Sequence, residues 1–365
     1  MPIQDSKDWP SRGGSNIRKI RVADRIIGEG YPCFIIAEAG VNHNGKISLA
    51  KKMIDAAKNA DADAVKFQLF SAERIVTKAA SKAEYQRKST GSGTQYEMLK
   101  KLELSGRDFE ELSSYAEKRN IIFLVSVFDE EGVDFAERLN VPAFKIPSGE
   151  ITNLPLLEYI GRKGKPVILS TGMSTLEEVR EAVNAIMGGG TDSIALLHCV
   201  SNYPAKPEEV NLRAIETLRC TFGLPVGLSD HTIGITIPIA AVALGATIIE
   251  KHFTLSRKLP GPDHAASLEP DEFREMVRRI VEVEKAMGDG IKRPTKSEEL
   301  IKKKIRKSIV ARVHIPKGTV ITRQMLSIKR PGTGLAPKYL EKVIGKKAKK
   351  DIKADELITF EKLTG

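Results

Sequence analysis

The sequence predicts a (β/α)8 barrel followed by a small β-rich domain, and three observations lead there. Between Cys33 and Gly288, short β-branched apolar runs alternate eight times with helix-like stretches. The runs are almost continuously apolar, as parallel strands covered on both faces are. Past Gly290 the pattern gives way to short apolar pairs punctuated by Pro316, Gly318, Pro331, Gly332, Gly334 and Pro337. A doubly wound open sheet is the rival architecture, but it usually has fewer strands.

The elements follow in order. Residues 1–16 are polar, without the apolar core of a signal peptide. Residues 17–27 alternate enough for a short hairpin, placed to close a barrel floor. The strands are read at 34–38, 64–70, 121–128, 143–147, 167–170, 194–200, 226–229 and 247–250. Ser174-Thr-Leu-Glu177 reads as a capping box. It opens a helix with Leu176, Val179, Val183 and Ile186 at helical spacing, which Gly188-Gly-Gly ends. Asn211 reads as the cap of a helix aligning Leu212, Ile215 and Leu218, and Phe273, Val277 and Ile280 stripe the last barrel helix. Lys292-Arg-Pro-Thr-Lys-Ser is linker-like, Lys302-Lys-Lys follows a short helix, and 308–313 and 319–321 read as small strands. The predicted organisation is a 1–30 extension and hairpin, a 31–289 barrel, a 290–304 linker and a 305–365 second domain.

Composition narrows the function. The chain is 41% apolar, enough for a large core, while aromatics at 5% argue against a base-stacking surface. Cys33, Cys199 and Cys220 are scattered, with no Cys-x-x-Cys, and read as reduced thiols of a cytoplasmic protein. Residues 232–249 carry no charge, but Pro238 and Gly245 interrupt them, so a buried helix and strand is expected rather than a membrane span. Lys and Arg number 58 against 47 Asp and Glu. From Ile291 onward 21 basic residues meet 7 acidic ones, or +14, which leaves 37 against 40, or −3, for residues 1–290. That basic segment reads as a solvated face, a nucleic-acid patch, or a lid drawn to an acidic body and an anionic substrate.

The candidate site is read from the residues that leave each strand, because in such barrels those ends converge on one cavity. In order they are Glu38 and Asn42-His-Asn-Gly45; Lys66 and Gln68; Ser126 and Asp129; Lys145, Ser148 and Glu150; Ser170 and Thr171; His198 and Ser201-Asn202; Ser229, Asp230 and His231; and Glu250, Lys251 and His252. Lys66 and Lys145 sit within apolar strands and need partners, either a carboxylate such as Glu38 or Glu150, or a substrate phosphate or carboxylate. Ser148, Ser170 and Ser229 supply hydroxyl donors beside them. His231 and His252 leave neighbouring strands and either are hydrogen-bonded barrel histidines or hold one divalent ion, Mn²⁺, Mg²⁺ or a related one, with open positions. His43, His198 and His264 are open between ligand and packing roles.

At this point the words of the sequence resemble the sialic acid synthases, which join phosphoenolpyruvate to an N-acetylated amino sugar. The matching words are Phe34-Ile-Ile-Ala-Glu-Ala-Gly-Val-Asn-His-Asn-Gly45, Ala64-Val-Lys-Phe-Gln68, Lys145-Ile-Pro-Ser-Gly-Glu150, Leu169-Ser-Thr-Gly-Met173, Gly227-Leu-Ser-Asp-His-Thr232, Glu250-Lys-His-Phe-Thr254 and Gly261-Pro-Asp-His-Ala-Ala-Ser267. Arg330-Pro-Gly-Thr-Gly-Leu335 resembles their antifreeze-like (SAF) domain. The resemblance implies a (β/α)8 TIM barrel plus that domain in a domain-swapped homodimer, with no nucleic-acid or membrane partner. It implies metal ligands at His231 and His252, and phosphoenolpyruvate contacts at Lys66, Lys145, Ser148, Ser170, Asn202 and Ser229. It implies acid–base and sugar-binding groups at Glu38, Glu150 and Asp263, and an arginine, Arg330, delivered by the partner. Ser256 stands where the family commonly has Asp. The sugar is either N-acetylmannosamine or a 2,4-diacetamido-trideoxyhexose. Competing readings are a Schiff-base aldolase using Lys145 and a basic nucleic-acid-binding protein.

Overall fold

Strands that are apolar on both faces must be covered on both faces, and a closed barrel inside a ring of helices does this. The computed structural model describes Ile17 to Thr364; the polar 1–16 segment lies outside the described residues. β1 (Ile20–Val22) and β2 (Arg25–Ile27) form an antiparallel hairpin. The barrel strands are β3 (Phe34–Gly40), β4 (Ala64–Leu69), β5 (Ile122–Val127), β6 (Phe144–Ile146), β7 (Val167–Ser170), β8 (Ile194–Cys199), β9 (Val226–Asp230) and β10 (Ile248–His252). All pair in parallel, and β10 returns to β3 to close the ring.

Strand alternation explains what each face holds. Outward residues such as Ile35, Val65, Phe67 and Ile249 pack against the helices. Inward residues change character along the axis. Phe34, Ile36, Ala64, Leu124, Ile168 and Ile248 form an apolar plug at the lower end, and Ile20, Val22 and Ile27 of the hairpin join it from below. The floor predicted for the hairpin is there.

Several local readings shift. The capping box is Thr175 with Glu178, one residue later than read, because Ser174 donates instead to the Gly172 carbonyl at 2.9 Å. Leu176 is then largely exposed, and Val179, Ala182, Val183 and Ile186 face the core. Asn211 is not a cap: it adopts φ 48°, the left-handed turn conformation that Asn tolerates, and the helix Ala214–Phe222 starts after Arg213. Between β4 and the helix Gly106–Lys118 stand three short helices, Ala72–Ile75, Glu84–Thr90 and Gln95–Lys100, too short to write a helical period into the sequence. The uncharged stretch after His231 is the eight-residue helix Thr236–Ala243, with Pro238 tolerated in its first turn. Among the described residues no helix is long and apolar enough to cross a membrane.

The chain divides after Gly288 into two compact units. In the second, the helix Lys296–Ile305 occupies most of the stretch read as linker and contains Lys302 to Lys304 rather than preceding them. Beyond it, β11 (Ser308–Ala311) pairs with β12 (Leu326–Lys329), and β13 (Lys347–Ala348) pairs with β14 (Leu363–Thr364). The expected strand at 319–321 is an isolated bridge from Val320 to Lys347. Ile309, Ile315, Ile321, Leu326, Ile352 and Ile358 form the core of this unit.

Candidate active site at the barrel mouth

Above the apolar plug the inward positions turn polar. Two residues after Ile36, Ala64, Leu124, Ala143, Ile168 and Ile248 come Glu38, Lys66, Ser126, Lys145, Ser170 and Glu250, all buried. Their bonds run around and across the interior. Lys66 Nζ lies 2.6 Å from Glu38 Oε2 and 3.6 Å from Glu250 Oε2. It donates to Ser126 Oγ at 2.8 Å. Lys145 Nζ donates to Ser170 Oγ at 2.8 Å and stands 3.7 Å from Glu250 Oε1. Ser229 Oγ donates to the same Glu250 oxygen at 2.9 Å, and Gln68 Nε2 donates to Glu38 Oε1 at 3.3 Å. Ser148 Oγ accepts from the Gly172 amide at 2.9 Å.

Burial sets the protonation pattern. It raises the Glu38 carboxyl above the usual carboxylate range, against the pull of Lys66. Glu250 is equally buried, yet Lys145, Lys66 and the Ser229 hydroxyl outweigh that and hold it low, so it stays ionised. Burial pushes the Lys145 ammonium down. Asp263, in the loop after β10, is raised from 3.8 to about 7, first by burial and then by the neighbouring Glu38 charge.

His231 follows β9 and His252 ends β10, and their ring centroids are 5.3 Å apart. His231 Nδ1 is 2.6 Å from the Val200 carbonyl, which only accepts, so Nδ1 carries a proton; against burial, Cys199, this carbonyl and Asp230 raise the imidazole above its usual range. His252 Nδ1 is buried without a hydrogen-bond partner, and burial holds this imidazole well below its usual range, hence neutral. With His231 Nδ1 tied to a carbonyl and His252 neutral, a divalent ion held by the pair would take the place of any proton on His231 Nε2. No group of three or more His, Cys, Asp or Glu gathers around one ion among the described residues, so two protein ligands would leave positions open.

The other histidines are engaged locally. His198 Nε2 meets the Val210 carbonyl at 2.5 Å, His264 Nδ1 meets Thr254 Oγ1 at 2.7 Å, and His43 Nδ1 accepts from the Gly45 amide at 3.1 Å. Asn42 ties its loop to the one carrying Asp263: Nδ2 donates to the Phe253 carbonyl at 2.9 Å and to Ser267 Oγ at 3.0 Å, and Ser267 Oγ donates to the Asp263 carbonyl at 2.7 Å.

Three of the residues read from the sequence stand outside the buried network. Glu150 ends a short 3₁₀ turn, half-buried, and accepts from Asn153 Nδ2 at 2.9 Å. Asn202 is exposed and reaches Glu209 at 3.4 Å. Arg330 belongs to the second unit, where Nε donates to the Ile305 carbonyl at 3.1 Å. Conversely, Glu250 is the hub of the network. Its signal was its place two residues before His252, on the same face of the strand. Glu250 was read only as a strand-end residue and not as the hub, and Tyr203 was missed; the Tyr203 ring lies 4.0 Å from that of His231 and 5.3 Å from that of His252.

The NeuB family model matches residues 53–292 and the SAF domain model matches 306–364. The chain is 50% identical over 327 residues to N,N'-diacetyllegionaminic acid synthase of Campylobacter jejuni, covering 89% of this chain and 98% of that one. It is 47% identical over 339 residues to N,N'-diacetyllegionaminic acid synthase of Legionella pneumophila, covering 92% and 95%. Among solved structures it matches N-acetylneuraminic acid synthetase of Leptospira borgpetersenii in complex with citrate, with TM-score 0.70, 37% identity, and 78% of this chain and 95% of that one covered. The chain therefore belongs to the NeuB family, with a (β/α)8 barrel followed by a SAF domain.

Proposed function

We propose that this protein condenses phosphoenolpyruvate with an open-chain 2,4-diacetamido-trideoxyhexose and water, giving N,N'-diacetyllegionaminic acid and phosphate. The observation that carries the anionic co-substrate is the convergence of Lys66 and Lys145 on Glu250 beneath the histidine pair. Two buried ammonium groups set against the Ser126 and Ser170 hydroxyls suit a phosphate and a carboxylate in one small molecule. The choice of sugar rests on the two legionaminic acid synthases at 47% and 50% identity; N-acetylmannosamine is the alternative.

In the proposed reaction, C3 of phosphoenolpyruvate attacks the sugar aldehyde. Water adds to C2, and phosphate leaves by cleavage of its C–O bond. A Mn²⁺ or Mg²⁺ ion held by His231 and His252 would supply Lewis acidity toward the aldehyde oxygen. Lys66 and Lys145 hold the phosphate and carboxylate, with Ser148, Ser170, Asn202, Ser229 and Gln68 as further donors. Asp263, half-protonated near neutrality, can give a proton to the new alkoxide and Glu38 can pass one on. Glu150 keeps enough exposure to draw a proton from the attacking water. Arg330, delivered by the partner in a domain-swapped homodimer, binds the sugar end. The +14 charge from Ile291 onward against −3 for the remainder favours that closure. Free thiols at Cys33, Cys199 and Cys220 suit a cytoplasmic enzyme.

Phosphate release should require both substrates and a divalent ion. With bridging-¹⁸O phosphoenolpyruvate the label should appear in phosphate; label kept in the sugar acid excludes C–O cleavage. Turnover of the two amino sugars side by side decides the substrate. The depressed ammonium of Lys145 is what a Schiff-base aldolase would use; borohydride trapping of a substrate adduct on Lys145 would favour that reading.

A further inference from the structure

Behind the histidine pair lies a second charged pair that faces away from the barrel interior. Lys251 and Asp230 are register partners on β10 and β9, and each immediately precedes one of the two histidines. Alternation turns both outward, where Lys251 is 0% and Asp230 2% exposed. Lys251 Nζ lies 2.5 Å from Asp230 Oδ2 and also donates to the Thr232 carbonyl. Asp230 in turn accepts from Thr232, the amide at 3.1 Å and the hydroxyl at 3.0 Å. The residues on both sides of His231 are thus held by one ammonium group rooted beside His252. The His231 carbonyl is fixed as well, accepting from the Ala205 amide at 2.9 Å. Neither charged side chain bonds to a residue of the inward ring.

A buried ion pair stabilises a fold little better than an apolar pair of similar volume. What this pair adds is geometry: it sets the offset between β9 and β10 where the two imidazoles emerge. We infer that Lys251 and Asp230 are positioning residues that fix the separation and tilt of His231 and His252, and so set the affinity of the site for a divalent cation. This rests on the two histidines holding the metal.

The test compares the full-length wild type, the double variant Asp230→Asn/Lys251→Met, and His231→Ala, each titrated with Mn²⁺ alone by calorimetry. The double variant removes both charges and the ammonium's bonds to residue 230 and to the Thr232 carbonyl, while the Asn side-chain oxygen still accepts from Thr232. It should melt within a few degrees of the wild type yet bind Mn²⁺ about 10- to 100-fold more weakly, as loss of a ligand-orienting contact does. In the metal-free protein, the imidazole ¹⁵N resonances of His231 should broaden or shift in the double variant. Mn²⁺ binding lost in His231→Ala but unchanged in the double variant, with unchanged imidazole resonances, overturns the positioning role and leaves the metal assignment standing. Mn²⁺ binding that His231→Ala does not affect overturns the metal assignment, and the positioning role falls with it.

Discussion

Glu250 and Lys145 meet at 3.7 Å across the barrel interior although their strands, β10 and β6, are not neighbours in the ring. A carboxylate on one wall thereby neutralises lysines on two others, Lys66 at 3.6 Å being the second. Glu250→Gln leaves Lys66 and Lys145 facing each other with only Glu38 between them. Its kcat/KM for phosphoenolpyruvate should fall about 100-fold, as when a preorganised charge contact is removed. Steady-state phosphate release measures this; unchanged kinetics would show that Glu250 is only a packing partner.

Lys66→Met should weaken phosphoenolpyruvate binding and destabilise the fold together. The cost is about 3–5 kcal/mol, because Glu38 stays buried without its cation and Glu250 keeps only Lys145. Urea unfolding reads the stability. Glu38→Gln should cost less, since burial already draws that carboxyl toward its neutral form.

Asp263 gives a pH signature. Its carboxyl is raised from 3.8 to about 7 in the folded protein. A raised folded value means that its favourable contribution is full below the unfolded value and is lost as pH climbs through about 7. In the metal-free protein, Asp263→Asn should therefore gain stability relative to wild type between pH 4 and 8. The ceiling is about 4 kcal/mol at about 1.4 kcal/mol per unit. Chemical denaturation at a series of pH values checks it, and parallel curves for the two proteins would refute it.

Ile27 is fully buried in the floor cluster, remote from the polar ring. Ile27→Ala should cost about 2–5 kcal/mol through the cavity it leaves. KM for both substrates should stay unchanged at temperatures where the variant is folded. A large KM change would mean that the hairpin shapes the mouth as well.

Truncation after Lys304 removes Arg330 and the core of the second unit. Turnover should largely vanish while far-UV circular dichroism still reports a folded barrel. Full activity in the truncated protein would remove Arg330 from the reaction.

The barrel was legible because its signal is repeated. Eight apolar runs each end in polar residues, and one misread boundary leaves the pattern intact. Lys66, Lys145, His231 and His252 stood out because charge or imidazole inside an apolar strand is costly. Glu250 was harder to see, since Glu-Lys-His puts three polar residues in a row and only alternation separates inward Glu250 and His252 from outward Lys251. The helices between β4 and Gly106–Lys118 left no period because none exceeds two turns. The capping box slipped by one because Ser174 and Thr175 are equivalent as letters, and only the Ser174 bond to Gly172 decides between them. Arg330 was legible only as part of a word, since nothing in its own unit shows what it would bind.

Among the described residues the hairpin floor closes one end of the barrel interior. Ile20, Val22 and Ile27 pack onto the apolar plug at one end, and the polar ring lies between that plug and the histidine end. Glu250 lies one inward position deeper on β10 than His252. An anion held by Lys66 and Lys145 would therefore lie deeper than a sugar at the histidines. Under the proposed reaction, such a blind-ended room would favour phosphoenolpyruvate entering before the sugar and phosphate leaving after the larger product.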